Sequence, residues 1–208
     1  MTTFEILNIL QKDIHSTVFA TVDDQGLPQT CVIDLMLADE NGLYFLTASG
    51  KSFYERLMQR QYVAISGMKG QDTLSTVAIS VRGKVRNIGT QRLDEIFEKN
   101  PYMAKIYPTA KSREALRVFH LYQGEGEYFD LGQLPPYRQS FSFGGETVHQ
   151  MGYRIQAAKC IGCQGCRSVC PAGCISAEVP RKIDEAHCLH CGNCLRICPV
   201  KAVEKLGA

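Results

Sequence analysis

The chain contains the sequence CIGCQGCRSVCP at residues 160–171 and the sequence CLHCGNCLRICP at residues 188–199. The second stretch repeats the four cysteines and the proline of the first, each 28 positions later (188 − 160 = 28). Of the ten cysteines in the chain, only Cys31 lies outside the C-terminal quarter. A repeat confined to one part of the sequence predicts a separate C-terminal domain built from two similar halves.

Each half reads Cys-x2-Cys-x2-Cys-x3-Cys-Pro, a spacing typical of proteins that hold two 4Fe–4S clusters. Zinc ribbons also use Cys-x2-Cys pairs, but a zinc site has no need of a third Cys at the same spacing and a fourth before Pro. The first three cysteines of each half face one cluster, and the fourth ligates the other. This rule predicts two crossed ligand sets: Cys160, Cys163, Cys166 and Cys198 for the first cluster, and Cys188, Cys191, Cys194 and Cys170 for the second.

Residues 157–205 closely resemble the two-cluster bacterial ferredoxins, and this resemblance implies electron transfer. Cys174 has no counterpart in the second half, where Ala202 stands. We interpret Cys174 as a small buried side chain beside a cluster. A ninth ligand for a different cluster type is the alternative interpretation.

Composition and charge exclude some partners. The chain has 208 residues, of which 45% are hydrophobic and 21% charged, and its formal net charge is +2. Two clusters with their thiolates, at a charge of about −2 each, would bring the loaded chain to roughly −2. Nucleic-acid binding is therefore not expected. No apolar run approaches the about 20 residues that span a bilayer, so no membrane insertion is expected either.

Cysteine usage also predicts a cellular compartment. The N-terminal sequence MTTFEIL lacks the basic and apolar segments of a secretory signal. Many cysteines without such a signal indicate metal binding in a reducing compartment rather than a disulfide framework. The expected location is the cytoplasm.

The N-terminal part reads as short strands joined by tight turns. Asp23–Gly26 and the Asn41-Gly42 pair are hairpin signals. Strands are predicted at residues 17–22, 29–37, 43–47, 62–67, 75–88, 117–122 and 127–131, and helices at 4–10, 52–60, 92–99 and 101–107. Short antiparallel strands of this kind favour a small closed barrel. The predicted fold class is α+β, an antiparallel β-barrel with short helices followed by a ferredoxin-like domain.

Domain limits follow from these patterns. We predict a barrel domain at residues 1–132 and a two-cluster domain at residues 157–208. Residues 133–156 are predicted to be a linker, because their periodicity is weak and they contain Pro135-Pro136 and Gly144-Gly145.

Two stretches of the predicted barrel carry a family resemblance, GLPQTCVID at residues 26–34 and LYFLTASGKS at residues 43–52. Together with the helix that follows, they resemble the pyridoxamine 5′-phosphate oxidase-like flavin split barrels over roughly residues 1–132. The resemblance implies a split barrel that binds FMN at a homodimer interface. It further implies that the isoalloxazine ring lies along Cys31, Val32, Ile33 and Asp34, and that the phosphate is held by Thr47, Lys51 and Ser52.

The stretch Ser49-Gly50-Lys51-Ser52 allows other interpretations. A cation and hydroxyls at a helix N-terminus suit a phosphate dianion. A nucleotide P-loop would need Gly at position 45, where Phe45 stands, so that interpretation fails. A simple turn with a solvated Lys remains the alternative.

The sequence also departs from the oxidases that give the family its name. Those enzymes usually carry Arg and Lys where Cys31 and Met36 stand, and a C-terminal Trp, whereas this chain has no Trp. The resemblance therefore points to the flavin reductase or uncharacterised FMN-binding members rather than to vitamin B6 oxidation.

The combination of motifs predicts an oxidoreductase that depends on FMN and iron–sulfur clusters. Each cluster carries one electron at a time, whereas a flavin takes electrons singly or in pairs. We expect single electrons to pass through the two clusters to or from FMN, which reduces or oxidises a small molecule or a redox partner protein. The alternatives are an electron carrier without its own substrate and a non-catalytic flavin- or haem-binding protein. No catalytic acid or base is identified from the sequence.

Overall fold

Seven strands of the N-terminal part form one sheet in the computed structural model, which describes residues 1–207. Their order is β3-β2-β1-β4-β5-β6-β7, and β3 also pairs with β6. Six strands thereby close into a barrel, and the predicted fold class is confirmed. The strands are β1 Ser16–Val22, β2 Pro28–Asp39, β3 Gly42–Ala48, β4 Tyr62–Lys69, β5 Val77–Asn87, β6 Leu116–Asp130 and β7 Tyr137–Phe143.

The barrel interior is filled with aromatic side chains. Phe19 on β1 and Phe45 on β3 are fully buried, and their ring centroids lie 4.6 Å apart. Phe119 on β6 stacks on Phe45, with the ring centroids 5.7 Å apart. Phe45 and Phe119 are directly paired across neighbouring strands, so their side chains lie on the same inner face, where Phe19 contacts Phe45.

Helices connect the strands and cover part of the outer face. The helices of this part are α1 Thr3–Asn8, α2 Ser52–Arg60, α3 Leu93–Lys99, α4 Met103–Ile106 and α5 Ala110–Arg113. Tyr44 and Leu46, on the outer face of β3, pack in one cluster with Leu93 and Ile96 of α3 and Met103 of α4. Strand β3 is therefore buried on both faces, which explains its unbroken apolar sequence.

The predicted pair of strands at residues 117–122 and 127–131 is wrong, since one long strand, β6, spans both. Gly124 and Gly126 lie inside it. A Cβ atom on Gly126 would lie 2.4 Å from the carbonyl oxygen of Ser80 on β5. In a sequence, glycines are typical of strand ends. Here they lie inside the strand, because the absence of a Cβ atom allows neighbouring strands to approach closely.

The predicted linker contains regular structure. Strand β7 and a further strand, β8 at Gly152–Ile155, lie within residues 133–156. Phe141 and Phe143 of β7 are both buried and occupy alternate positions. This alternation of buried residues is short and is flanked by Pro and Gly residues, so the sequence pattern does not indicate a strand.

The chain divides into two compact units. The first comprises Met1–Lys69, Ala78–Glu127 and Phe141–Thr147, and the second contains the remaining described residues. The predicted domain limits stay a prediction.

The cysteine-rich part consists of two similar halves. Strand β8 pairs with β9 at Val203–Leu206, and helices α6 Gly165–Ser168 and α7 Asn193–Ile197 follow the repeat of 28 residues. Ile155 pairs with Val203, and Ile183 pairs with Ile175. Adding 28 to Ile155 gives Ile183, and adding 28 to Ile175 gives Val203, so the same pairing occurs once in each half. The sequence repeat is therefore a structural repeat.

No helix among residues 1–207 is both long enough and apolar enough to cross a membrane.

Candidate functional site

The cysteine-rich part arranges its thiols around two cavities. The structure brings together both predicted sets: one cavity is lined by Cys160, Cys163, Cys166 and Cys198, and the other by Cys170, Cys188, Cys191 and Cys194. Within residues 1–207, no three His, Cys, Asp or Glu side chains are gathered tightly enough to hold a single metal ion. Thiols spread around a cavity suit a cluster better than one zinc ion, which needs four ligands at about 2.3 Å.

The loops around these cavities supply main-chain donors to sulfur. Hydrogen bonds from the main chain at Arg181 and Gly162 lower the pKa of the Cys160 thiol. The amide of Ala202 donates to Cys198 Sγ at 3.2 Å. Such donors stabilise the thiolate form that ligates iron, so the residues present fit the predicted clusters. The ligand assignments themselves stay a prediction.

Cys174 lines the second cavity together with the predicted ligands. Its Sγ lies 3.4 Å from Cys170 Sγ, and its side chain also interacts with Cys188. The residue is 9% exposed. Five thiols therefore surround this cavity, although the predicted ligand set uses four.

In the barrel, the predicted phosphate site lies where β3 ends and α2 begins. Thr47 is 2% exposed, and its Oγ1 has no hydrogen-bond partner among the described residues. Lys51, next to the start of α2, is exposed and does not cap the helix with its side chain. Ser52 is the first residue of α2 and is also exposed. A buried hydroxyl without a partner is rare in proteins, and a bound phosphate oxygen would give it one.

A second cation, which the sequence-based prediction does not include, lies near this site. The Nε atom of Arg56, on α2, donates to the buried Thr21 Oγ1 at 2.7 Å. Arg56 follows Ser52 by four residues, which places both on one face of the helix, and this spacing was the available signal. Arg56 and Lys51 both act electrostatically on Cys31. The end of β3 and the start of α2 are thus bordered by two positive charges.

The four predicted ring contacts lie consecutively on β2. Val32 is 65% exposed, whereas Cys31, Ile33 and Asp34 are half-buried. Burial raises the pKa of the Cys31 thiol and outweighs the opposite effect of Arg56 and Lys51. A thiol that stays protonated is a poor nucleophile, which favours an inert role for Cys31 over a redox role.

Asp34 belongs to a hydrogen-bonded cluster that the sequence did not reveal. The hydroxyl of Tyr102 donates to Asp34 Oδ2 at 3.0 Å, and His15 Nε2 lies 2.9 Å from the same hydroxyl. Ser16 Oγ donates to Asp34 Oδ1 at 2.6 Å. Burial, followed by the hydrogen bond to Asp34, raises the pKa of Tyr102, so its phenol keeps its proton. His15 and Tyr102 are 87 residues apart, and nothing in the local sequence connects them.

Both ring nitrogens of His15 have a polar neighbour in this cluster. His15 Nδ1 lies 3.3 Å from the carbonyl oxygen of Gln11, which can only accept. The Tyr102 hydroxyl donates to Asp34 Oδ2, so a lone pair of the same oxygen can accept from His15 Nε2. The backbone of His15 has φ 60° and ψ −65°, a rare conformation for a non-glycine residue that is concentrated at functional sites.

Two family models match the chain. Residues 5–129, more than half of the sequence, match the model described as pyridoxamine 5′-phosphate oxidase. Residues 159–202 match the model described as a 4Fe-4S dicluster domain. No curated protein matches the chain.

Solved structures share the barrel fold. A NimC/NimA family protein from Clostridium acetobutylicum aligns with a TM-score of 0.57 at 19% identity, over 67% of this chain and 92% of that one. A heme binding protein from Mycobacterium smegmatis aligns with a TM-score of 0.51 at 14% identity, over 68% of this chain and 58% of that one. A Clostridium acetobutylicum protein related to general stress protein 26 of B. subtilis aligns with a TM-score of 0.50 at 13% identity, over 66% of this chain and 92% of that one. At these identities the similarity shows the fold.

We expect Cys174→Ala to keep the full iron content, about eight atoms per chain, because four other thiols surround the second cavity. The matched variant Cys170→Ala, which removes the predicted ligand next to it, should lose iron. Iron and acid-labile sulfide are measured on anaerobically purified protein. Loss of iron from Cys174→Ala together with retention in Cys170→Ala would reverse the assignment.

Proposed function

Because the chain belongs to the pyridoxamine 5′-phosphate oxidase family and carries a 4Fe–4S dicluster domain, we propose that it is an oxidoreductase that links one-electron and two-electron chemistry. In this proposal, single electrons pass through two 4Fe–4S clusters to or from FMN bound to the barrel. The observation that carries the proposal is the presence, on one chain, of two thiol-lined cavities and a flavin-family barrel.

The cofactors supply the electron transfer. A 4Fe–4S cluster exchanges one electron at a time, whereas FMN exchanges one or two. The protein is proposed to bind these groups, to control protons near the flavin and to select the partner. That partner is a redox protein or a small-molecule electron donor or acceptor.

The end of β3 is proposed to hold the FMN phosphate. Thr47 would contribute a hydroxyl that has no partner among the described residues, and Ser52 a second hydroxyl. Lys51 and Arg56 would supply positive charge, and the α2 amides would add main-chain donors. A dianion is well matched to two cations and several donors.

The cluster of His15, Tyr102 and Asp34 is proposed to move protons next to the isoalloxazine ring. Asp34 is one of the four residues that the family resemblance places along that ring. Two-electron reduction of a flavin requires protons, and the Tyr102 hydroxyl, in contact with both His15 and Asp34, would pass a proton from one to the other. His15 would return a proton to the phenol. This cluster favours an enzyme over a pure electron carrier, which has no need of a proton relay.

A homodimer is proposed through the outer face of β1, β2 and β4. Val18 on β1 pairs with Val32 on β2 and with Ser66 on β4, and both valines are exposed, by 45% and 65%. Met68, also on β4, is 64% exposed. Exposed apolar side chains grouped on one face mark an interaction surface.

The proposed location is the reducing interior of the cell, specifically the cytoplasm, because free thiols and clusters persist there.

A non-catalytic haem-binding role is the second candidate, since the Mycobacterium smegmatis heme binding protein shares the fold. The absorption spectrum separates the two, because haem gives an intense Soret band and FMN does not. The following experiments assume that FMN is found.

Replacement of Thr47 by Val tests the phosphate site. The buried hydroxyl has no partner without a ligand, so its removal should leave the FMN-free protein as stable as the wild type, or more stable by about 1–3 kcal/mol. The affinity for FMN should nevertheless fall about tenfold. Titration with FMN gives the affinity, and urea unfolding gives the stability.

Thr76→Val provides the control. This threonine is also buried, but its Oγ1 donates to the carbonyl oxygen of Asp72 at 2.6 Å. We expect Thr76→Val to lose stability and to keep its FMN affinity. Unchanged FMN affinity in Thr47→Val would contradict the proposed site.

Electron transfer between the cofactors is tested by rapid reduction with methyl viologen radical, a one-electron donor. In the wild type we expect the clusters to be reduced first and the flavin to follow. Cys188→Ala, which lacks a predicted ligand of the second cluster, should reduce its flavin at least about tenfold more slowly. Cys174→Ala is the matched control and should behave like the wild type. Flavin that stays oxidised beside reduced clusters would exclude the proposed transfer.

Replacement of Tyr102 by Phe tests the proton relay. The variant keeps the ring but loses the hydroxyl that joins His15 to Asp34. We expect unchanged FMN affinity and at least about a hundredfold slower two-electron reduction of the flavin, which is the contribution of a positioned proton-transfer group. The solvent isotope effect on that step should also change. A variant with wild-type rates and isotope effect would show that the cluster is only structural.

A further inference from the structure

Arg181 is a buried arginine beside the first thiol-lined cavity. It is 5% exposed and lines the same cavity as Cys160, Cys163, Cys166 and Cys198. Its main chain also hydrogen-bonds Cys160, so backbone and side chain both approach the predicted site of the first cluster.

The guanidinium group of Arg181 has only neutral partners in the described chain. Its Nη1 donates to the carbonyl oxygens of Ser176, at 3.2 Å, and Ala177. Its Nη2 donates to the carbonyl oxygen of Gly162 at 3.4 Å. The Nε atom is buried and has no partner, and no carboxylate within residues 1–207 forms an ion pair with the group.

A buried arginine in this state requires a negative partner. Arginine keeps its charge at any pH at which the protein is folded. The free-energy cost of moving an unpaired charge out of water is far larger than the stabilisation from hydrogen bonds to carbonyl groups. A 4Fe–4S cluster with its thiolates carries a charge of about −2. The cavity that Arg181 lines is where such a charge would lie.

The repeat places this cation at only one of two equivalent positions. Position 181 corresponds to position 153 in the other half (181 − 28 = 153), and Tyr153 lies two residues before Ile155, as Arg181 lies two before Ile183. Those two isoleucines form the equivalent pairings of the two halves. Tyr153 lines the second cavity, as Arg181 lines the first. A neutral phenol and a cation thus occupy equivalent positions.

Other charges near the cavities do not remove this difference. At the second cavity, the half-buried Arg138 favours the thiolate of Cys188, and the exposed Glu185 opposes it more weakly. Arg138 lies outside the lining of that cavity, whereas Arg181 lines the first. At the first cavity, Lys159 and Arg167 are exposed and therefore screened by solvent. Arg181 is the buried charge of the first site.

We infer that Arg181 is the electrostatic partner of the first cluster and raises its reduction potential above that of the second. Reduction adds one negative charge to a cluster, and the buried cation favours that change at the Cys160 site. One electron on the second cluster then moves to the oxidised first cluster, with no bond broken and no proton transferred. Arg181 is a tuning residue, since it touches no substrate. The inference rests on the two clusters and is independent of the flavin.

The experiment is a redox titration of the holoprotein with cluster-specific detection. Cysteine proton resonances assigned to Cys163 and Cys191 report the first and second cluster separately. In the wild type we expect the first cluster to be reduced first. In Arg181→Met the electron distribution between the clusters should shift at least about tenfold toward the second, which equals about 59 mV for one electron. The potential of the second cluster should hardly change.

Two further variants separate charge from packing. Arg181→Lys retains the charge and should keep most of the wild-type order of potentials. Tyr153→Phe, at the equivalent position of the other half, should leave the first cluster unchanged. If Arg181→Met fails to retain the first cluster, Arg181→Gln is compared with Arg181→Lys, and the same shift is expected between them.

The redox titration distinguishes a failure of the Arg181 inference from a failure of the proposed function. A wild-type protein without about eight irons would refute the clusters themselves. Intact clusters whose potentials do not respond to the loss of the Arg181 charge would overturn the inference and leave the oxidoreductase proposal in place. A wild-type first cluster with the lower potential would also overturn it.

Discussion

The pairing of β3 with β6 is the contact on which the N-terminal structure depends. It runs from the pair Leu43 and Leu121 to the pair Ala48 and Leu116 and turns an open sheet into a barrel. Closure leaves β3 without a solvated face, because the phenylalanine interior lies on one side and the helical layer on the other. A polar group at the end of such a strand cannot reach water, which is why the hydroxyl of Thr47 is isolated. In the proposed flavin site, a phosphate oxygen would be its partner.

In the cysteine-rich part, the corresponding constraint is charge. Thiolates and a cluster concentrate negative charge in a small volume, and the surrounding chain must compensate for it. Main-chain donors do so at Cys160 and Cys198 in the first site. A repeated fold would compensate two clusters equally if its two halves had remained identical. The clusters can therefore differ in their properties only where the two halves differ. Arg181 and Tyr153, at equivalent positions of the repeat, are one such difference.

Sequence patterns revealed the features that depend on neighbours along the chain. The cysteine spacing, the Asn41-Gly42 turn and the alternation of the early strands are all local, and the structure contains each of them. Features set by distant contacts were not accessible. The cluster of His15, Tyr102 and Asp34 joins elements far apart in sequence, and the sequence does not distinguish Arg181 from a surface arginine. The long β6 was missed because glycine breaks most strands but also permits close packing.

The segment before His15 has a consequence of its own. Residues Ile9–Ile14 form a π-helix, and the amide of His15 bonds the carbonyl of Leu10, five residues earlier. An α-helix would make this bond four residues back, so the segment accommodates one residue more than an α-helical turn. That additional residue sets the direction in which the imidazole leaves the backbone. In a relative one residue shorter here, the histidine could be retained while its ring turned away from Tyr102. Length in this segment, and not only residue identity, would then distinguish family members that have the relay from those that do not.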